Sequence, residues 1–173
     1  KMIMGKTNLT KTEFGRSNSS LLINTAIATD GTRLVVCDTD NNRVLIWNSI
    51  PTTNNAPANV VLGAPDFNTL RGPQGVWIQG SRLFVADTQN HRVMVWNRIP
   101  TSNDQPADYV LGQKDFNTTS EREIQQTQVT PAANRLLNPV SVTSDGTRLY
   151  VTDLGYNRVL IWNSIPTNTE QPA

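Results

Sequence analysis

The chain has 173 residues, with 15 basic against 14 acidic side chains, one cysteine and one histidine. No apolar run approaches the roughly 18 residues of a membrane-spanning helix, a lone cysteine forms no internal disulfide, and a formal charge of +1 sets up no long-range field for nucleic acids or lipid surfaces. Charged residues make up only 17% while Asn and Thr fill 40 positions, a composition that favours turns and strands over long exposed helices.

Near the start, Ile3-Met4-Gly5 matches Val61-Leu62-Gly63 and Val110-Leu111-Gly112; Leu9 likewise matches Phe67 and Phe116. From Gly31 the stretch GTRLVVCDTDNNRVLIWNSIP begins, and it returns from Gly80 as GSRLFVADTQNHRVMVWNRIP and from Gly146 as GTRLYVTDLGYNRVLIWNSIP. Trp47, Trp96 and Trp162 follow the same spacings of 49 and 66 residues. All length variation therefore lies in the connectors, and the chain divides into units 1–58, 59–107 and 108–173. Repetition at such a period is the first thing to settle, because it dictates the architecture.

Each unit predicts four short strands. The first holds Thr25 to Ala28, Gly75 to Ile78 and Ser141 to Thr143. Asp30-Gly31, Gln79-Gly80 and Asp145-Gly146 supply hairpin turns into the second, Arg33 to Cys37 and its equivalents. The third, Arg43 to Trp47, is rich in β-branched residues. A loop with fixed prolines leads to the fourth, Val60 to Leu62. The third connector is the longest, with 34 positions from Gly112 to Gly146 against 17 from Gly63 to Gly80. Its Ser120-Glu121-Arg122-Glu123 has the form of a capping box and predicts a short helix over 121–126.

Four-stranded units repeated every 40 to 50 residues or so are the pattern of β-propeller blades. The expected fold is all-β, with three blades of four antiparallel strands as half of a larger ring. The sequence stops at Gln171-Pro172-Ala173 where a fourth strand is due, while Met2 to Gly5 reads as such a strand without its blade. A protein partner, a second copy or a further stretch of a longer chain is expected to complete the ring; Lys1 reads as a processed terminus or the edge of that longer chain.

The residues shared by all units read as framework. Asp38 with Arg43, Asp87 with Arg92 and Asp153 with Arg158 flank the connection between second and third strands. There the carboxylate can accept N–H groups of the turn, and the guanidinium can pair with it or with carbonyls. Trp47, Trp96 and Trp162 read as apolar plates between blades. Cys37 aligns with Ala86 and Thr152 as a small packed side chain. Asp38-Thr39-Asp40 imitates the start of a calcium loop, but Arg43 stands where glycine is needed and Ser49 where glutamate is needed. No metal or cofactor is expected. The candidate binding residues are those the units do not share: Trp77 against Ala28 and Thr143, Tyr156 against Asn41 and Asn90, Gln89 against Asp40, and His91, read as an exposed turn residue in the place of Asn42 and Asn157.

The recurring phrase R-L-x-V-x-D-x-x-x-x-R-V-x-x-W-N, with its I-P-T and V-L-G-Q-x-D-F segments, resembles the NHL repeat family in its bacterial form. The resemblance implies a β-propeller, usually six-bladed, and an extracellular, periplasmic or envelope location. Related propeller enzymes hold zinc with several histidines, and this chain has only His91. Some animal members grip RNA on a basic face, for which four lysines and arginines tied to the repeat are a poor fit. The expected role is a non-catalytic protein-interaction scaffold that binds no nucleic acid and inserts in no membrane. The alternative is an enzyme or a metal- or sugar-binding propeller whose site lies in blades absent from this chain.

Overall fold

The computed structural model describes residues 2–5, 17–63, 70–117 and 130–173. Leu9, Phe67, the capping box at Ser120 and the helix expected over 121–126 lie outside these residues. The described residues form three antiparallel sheets. The first is β1 (Asn24–Thr29), β2 (Leu34–Asp38), β3 (Arg43–Trp47) and β4 (Val60–Leu62). The second is β5 (Pro73–Gln79), β6 (Arg82–Asp87), β7 (Arg92–Trp96) and β8 (Tyr109–Leu111). The third is β9 (Pro139–Ser144), β10 (Leu149–Asp153) and β11 (Arg158–Trp162). Within each sheet, spatial order follows chain order. Among the described residues, helix is confined to three-residue 3₁₀ turns at Thr39–Asn41, Thr88–Asn90 and Leu154–Tyr156, and none is long and apolar enough to cross a membrane.

The expected strands are present, with one shift of consequence. The second strand runs one residue further than its sequence suggested, so Asp38↔Arg43, Asp87↔Arg92 and Asp153↔Arg158 form the last rung of the ladder. Pro73 and Pro139 each open a strand, where a missing N–H costs least. Met2 to Gly5 forms no strand and carries a single parallel bridge, Gly5↔Ser20.

The sheets pack through their apolar faces. Val35, Cys37, Val44 and Ile46 of the first sheet meet Val76, Val85, Met94 and Trp96 of the second. Phe84, Val93 and Val95 of the second meet Val142, Leu149, Val151 and Trp162 of the third. Trp47 packs with Val36, Leu45 and Val61, against Met4 and Leu21. Trp47, Trp96 and Trp162 thus lie on the face turned toward earlier chain, and the Nε1 of each donates to the carbonyl of Ala56, Gln105 or Gln171, 2.9 Å away in every unit. Where β5 lies beside β9, a Cβ at Gly75 would come within 2.8 Å of the Val140 carbonyl oxygen and 2.9 Å of Ser141 Cα, so the sheets approach to a distance that only glycine permits.

The first and third hairpin turns are held by aspartate. Asp30 Oδ1 accepts the N–H groups of Thr32 at 2.9 Å and Arg33 at 2.7 Å, and its other oxygen meets the Arg33 guanidinium at 2.8 Å. The Arg33 N–H leads in holding the carboxyl down from 3.8 to about 2, with the Thr32 N–H and the guanidinium adding to it. Because the folded value lies below the unfolded one, the stabilisation is complete above the unfolded value and disappears as pH falls through the folded one. The Asp30 side-chain carboxyl carbon is therefore expected to titrate in NMR with a midpoint of about 2; a midpoint at the ordinary 3.8 would show that the turn bonds do not form.

Candidate functional site

The three Asp–Arg pairs are clasps. Asp38 Oδ2 accepts from Arg43 Nε at 2.7 Å and Asn41 Nδ2 at 2.9 Å. Asp87 Oδ2 accepts from Arg92 Nε at 2.7 Å and Asn90 Nδ2 at 2.9 Å. Asp153 Oδ2 accepts from Arg158 Nε at 2.9 Å. The remaining oxygen does not take the N–H of its own turn, as expected above. It takes the backbone N–H of Leu22, Arg71 or Leu137, 16 residues earlier, at 2.6, 2.6 and 2.7 Å. One carboxylate thereby ties the turn between second and third strands to the segment leading into the first. The guanidinium reaches on to carbonyls of the connector: Ser17 and Ser20, Phe116, and Ala132 and Arg135. Burial pushes the Asp87 and Asp153 carboxyls up from their ordinary value, against the pull of the arginines and N–H donors.

His91 is buried, not an exposed turn residue. It takes the left-handed conformation at φ +56°, like Asn42 at +55° and Asn157 at +52°, and its Nδ1 accepts the Asn138 N–H at 3.0 Å. Asn42 Oδ1 does the same for the Gly72 N–H at 2.7 Å. Both side chains join one unit to the next, and an imidazole nitrogen replaces an amide oxygen as acceptor.

The other candidates are dispersed. Gln89 is exposed and lies over Gly72, whose missing Cβ makes room for its amide. Tyr156 leaves Asp153 without the amide donor of the other units, and its ring lies under the Arg158 guanidinium at 4.9 Å. Trp77 is half-buried and packs onto the core between second and third sheets, with its Nε1 buried and lacking a hydrogen-bond partner. Cys37 is fully buried, and burial pushes its thiol well up, the opposite of what a nucleophile needs. Among the described residues no group of three or more His, Cys, Asp or Glu could hold a metal ion.

Concavities lined by described residues include a cavity and a groove. A cavity of about 450 Å³ opens between the first two sheets, but its Arg92 serves the Asp87 clasp and its Asp104 carboxylate accepts the Gly63 N–H at 2.9 Å. The second is a groove of about 440 Å³ where β1, β5 and β9 lie side by side, lined by Thr25, Ile27, Gln74, Trp77, Ser141 and Thr143 among others. Its hydroxyls, its amide and one indole face suit a neutral polar ligand or an extended backbone, and Trp77 is the one earlier candidate that it contains. What sequence reading missed is the residue set joining the units, since its members lie far apart in the chain.

No family model matches the chain, and no curated protein matches it. The sheets themselves define an all-β protein of tandem, repeat-like antiparallel sheets.

Proposed function

We propose that the chain is three blades of a β-propeller of the NHL-repeat type, and that it acts as a non-catalytic protein-interaction scaffold outside the cell or in the cell envelope. The observation that carries the interaction role is apolar surface left in water: Ile27 is 66% exposed, Leu154 58%, Val159 56% and Ile161 45%. Val159 and Ile161 share one face of the third sheet, with Leu154 in the turn before β11, and Ile27 lies on the first sheet; apolar side chains left in water on rigid sheet faces mark places where another protein binds. The blade arrangement is supported by the packing of each tryptophan-bearing face on earlier chain and by the first strands meeting along one groove. The family and the location rest on the repeated motif.

Melting with millimolar calcium or micromolar zinc is expected to move the midpoint by less than about 1 °C, and a hydrolase substrate panel is expected to give no turnover. A clear stabilisation by either ion, or turnover of any substrate, would replace the scaffold with a metal-dependent or enzymatic propeller.

A further inference from the structure

The exposed apolar residues are not scattered. Val159 and Ile161 of β11 align with Val44 and Ile46 and with Val93 and Val95, all four of which are 0% exposed because the next sheet covers them. At the other end, Ile27 aligns with Val76 and Val142, which are 5% and 3% exposed against the sheet before them. The two ends of the structure therefore present the two faces that meet at each internal boundary.

The polar groups repeat the same pairing. Val61 donates its N–H to Asn103 Oδ1 at 2.9 Å, and its carbonyl accepts from the Asp104 N–H at 2.9 Å. Val110 does likewise with Thr169 Oγ1 at 3.3 Å and the Glu170 N–H at 3.1 Å. Ile3 makes this pair of bonds with Asn54 Oδ1 at 3.1 Å and the Asn55 N–H at 2.9 Å. Gly5 also has φ +78°, beside +94° at Gly63 and +89° at Gly112. Ile3 thus stands where a fourth strand of a preceding sheet would stand. The far edge of β4 pairs with β3 as Ile46↔Val60, Leu45↔Val61 and Val44↔Leu62. Among the described residues, Met2 to Met4 have no such third strand beside them, and β11 is a third strand without a fourth.

We propose that a second copy of this chain docks head to tail on the open face of the third sheet, its Met2 to Met4 pairing with β11 as Ile161↔Met2, Leu160↔Ile3 and Val159↔Met4. The proposal rests on the propeller reading. The exposed Asn157 then receives the Ile23 N–H of the other copy, since Ile23 has φ +47° where Gly72 has +54° and Asn138 +55°. One bond is not reproduced. Thr39 and Thr88 donate to the carbonyls of Pro73 and Pro139, both at 2.7 Å, whereas the third turn has Leu154, which contributes apolar area instead. Closed rings hold about four to eight sheets; at three sheets per copy, two copies satisfy that range and three exceed it. The contact is heterologous and closes by rotation.

Light scattering of the 173-residue chain at about 50 µM is expected to give twice the chain mass of 19.1 kDa. Val159→Asp alters a side chain that its own chain leaves in water, so the circular dichroism and urea midpoint of the single chain stay unchanged while association weakens about 100-fold or more. Ile3→Cys combined with Leu160→Cys places thiols on a non-hydrogen-bonded rung with Cα atoms about 4.5 Å apart, and mild oxidation is expected to link two copies covalently. A mass of 19.1 kDa, a dimer indifferent to Val159→Asp, growth beyond two copies or failure to cross-link would each overturn the proposal. A single-chain mass leaves the scaffold reading standing, whereas a metal response or turnover removes that reading and leaves the pairing untouched.

Discussion

Asp87→Ala is expected to cost about 3–5 kcal/mol of unfolding free energy, read as a lowered urea midpoint. The carboxylate is 0% exposed and the Arg92 side chain 2%. Removing the carboxylate takes the Asp87 partner from a buried guanidinium, and it takes the acceptor from the Arg71 N–H and from the Asn90 amide. The penalty is mostly that of taking the Asp87 carboxylate from a buried guanidinium, not the worth of the pair itself. The third clasp is the control. Arg158 is 23% exposed and has the Tyr156 ring beneath it, so after Asp153→Ala its charge finds solvent, and the expected cost falls to about 1–3 kcal/mol. Equal costs at the two sites would show that burial of the guanidinium does not set the energy.

The strands were legible because β-branched runs, Asp-Gly turns and fixed prolines recur in phase, and three copies of a pattern leave little room for another register. The clasps were legible as pairs but not in their destination. A carboxylate beside a turn predicts a bond to that turn, yet Asp38, Asp87 and Asp153 each reach back 16 residues, because β-ladder pairing at the end of the second strand aims the side chain toward the start of the first. His91 was misread for a related reason. Its alignment with Asn42 signalled a left-handed turn position, but the partner that buries it, Asn138, lies 47 residues away. The loop acceptors were hidden in part by chemistry: Thr169 stands where the other units have Asn54 and Asn103, and only the side-chain oxygen is common to all three.

Trp96→Ala is expected to cost about 5 kcal/mol and Trp47→Ala about 3 kcal/mol, the two ends of the range for truncating a buried aromatic residue. Both indoles are nearly sealed, at 2% and 3% exposure, and both donate to a loop carbonyl at 2.9 Å, so exposure and hydrogen bonding do not separate them. What separates them is the far wall. Trp96 lies in the core shared with Val35, Val44 and Ile46 of the first sheet, whereas Trp47 meets Met4 and Leu21 of the segment before β1. A wall of paired strands cannot collapse into the space an indole leaves without breaking its ladder, so the cavity at Trp96 persists, while irregular chain can shift to fill the one at Trp47. The comparison belongs in a Val159→Asp background, where single chains are compared with single chains. Urea midpoints with unchanged slopes would report the difference directly. If the two substitutions cost the same, contact between neighbouring sheets would not be what makes these tryptophans valuable.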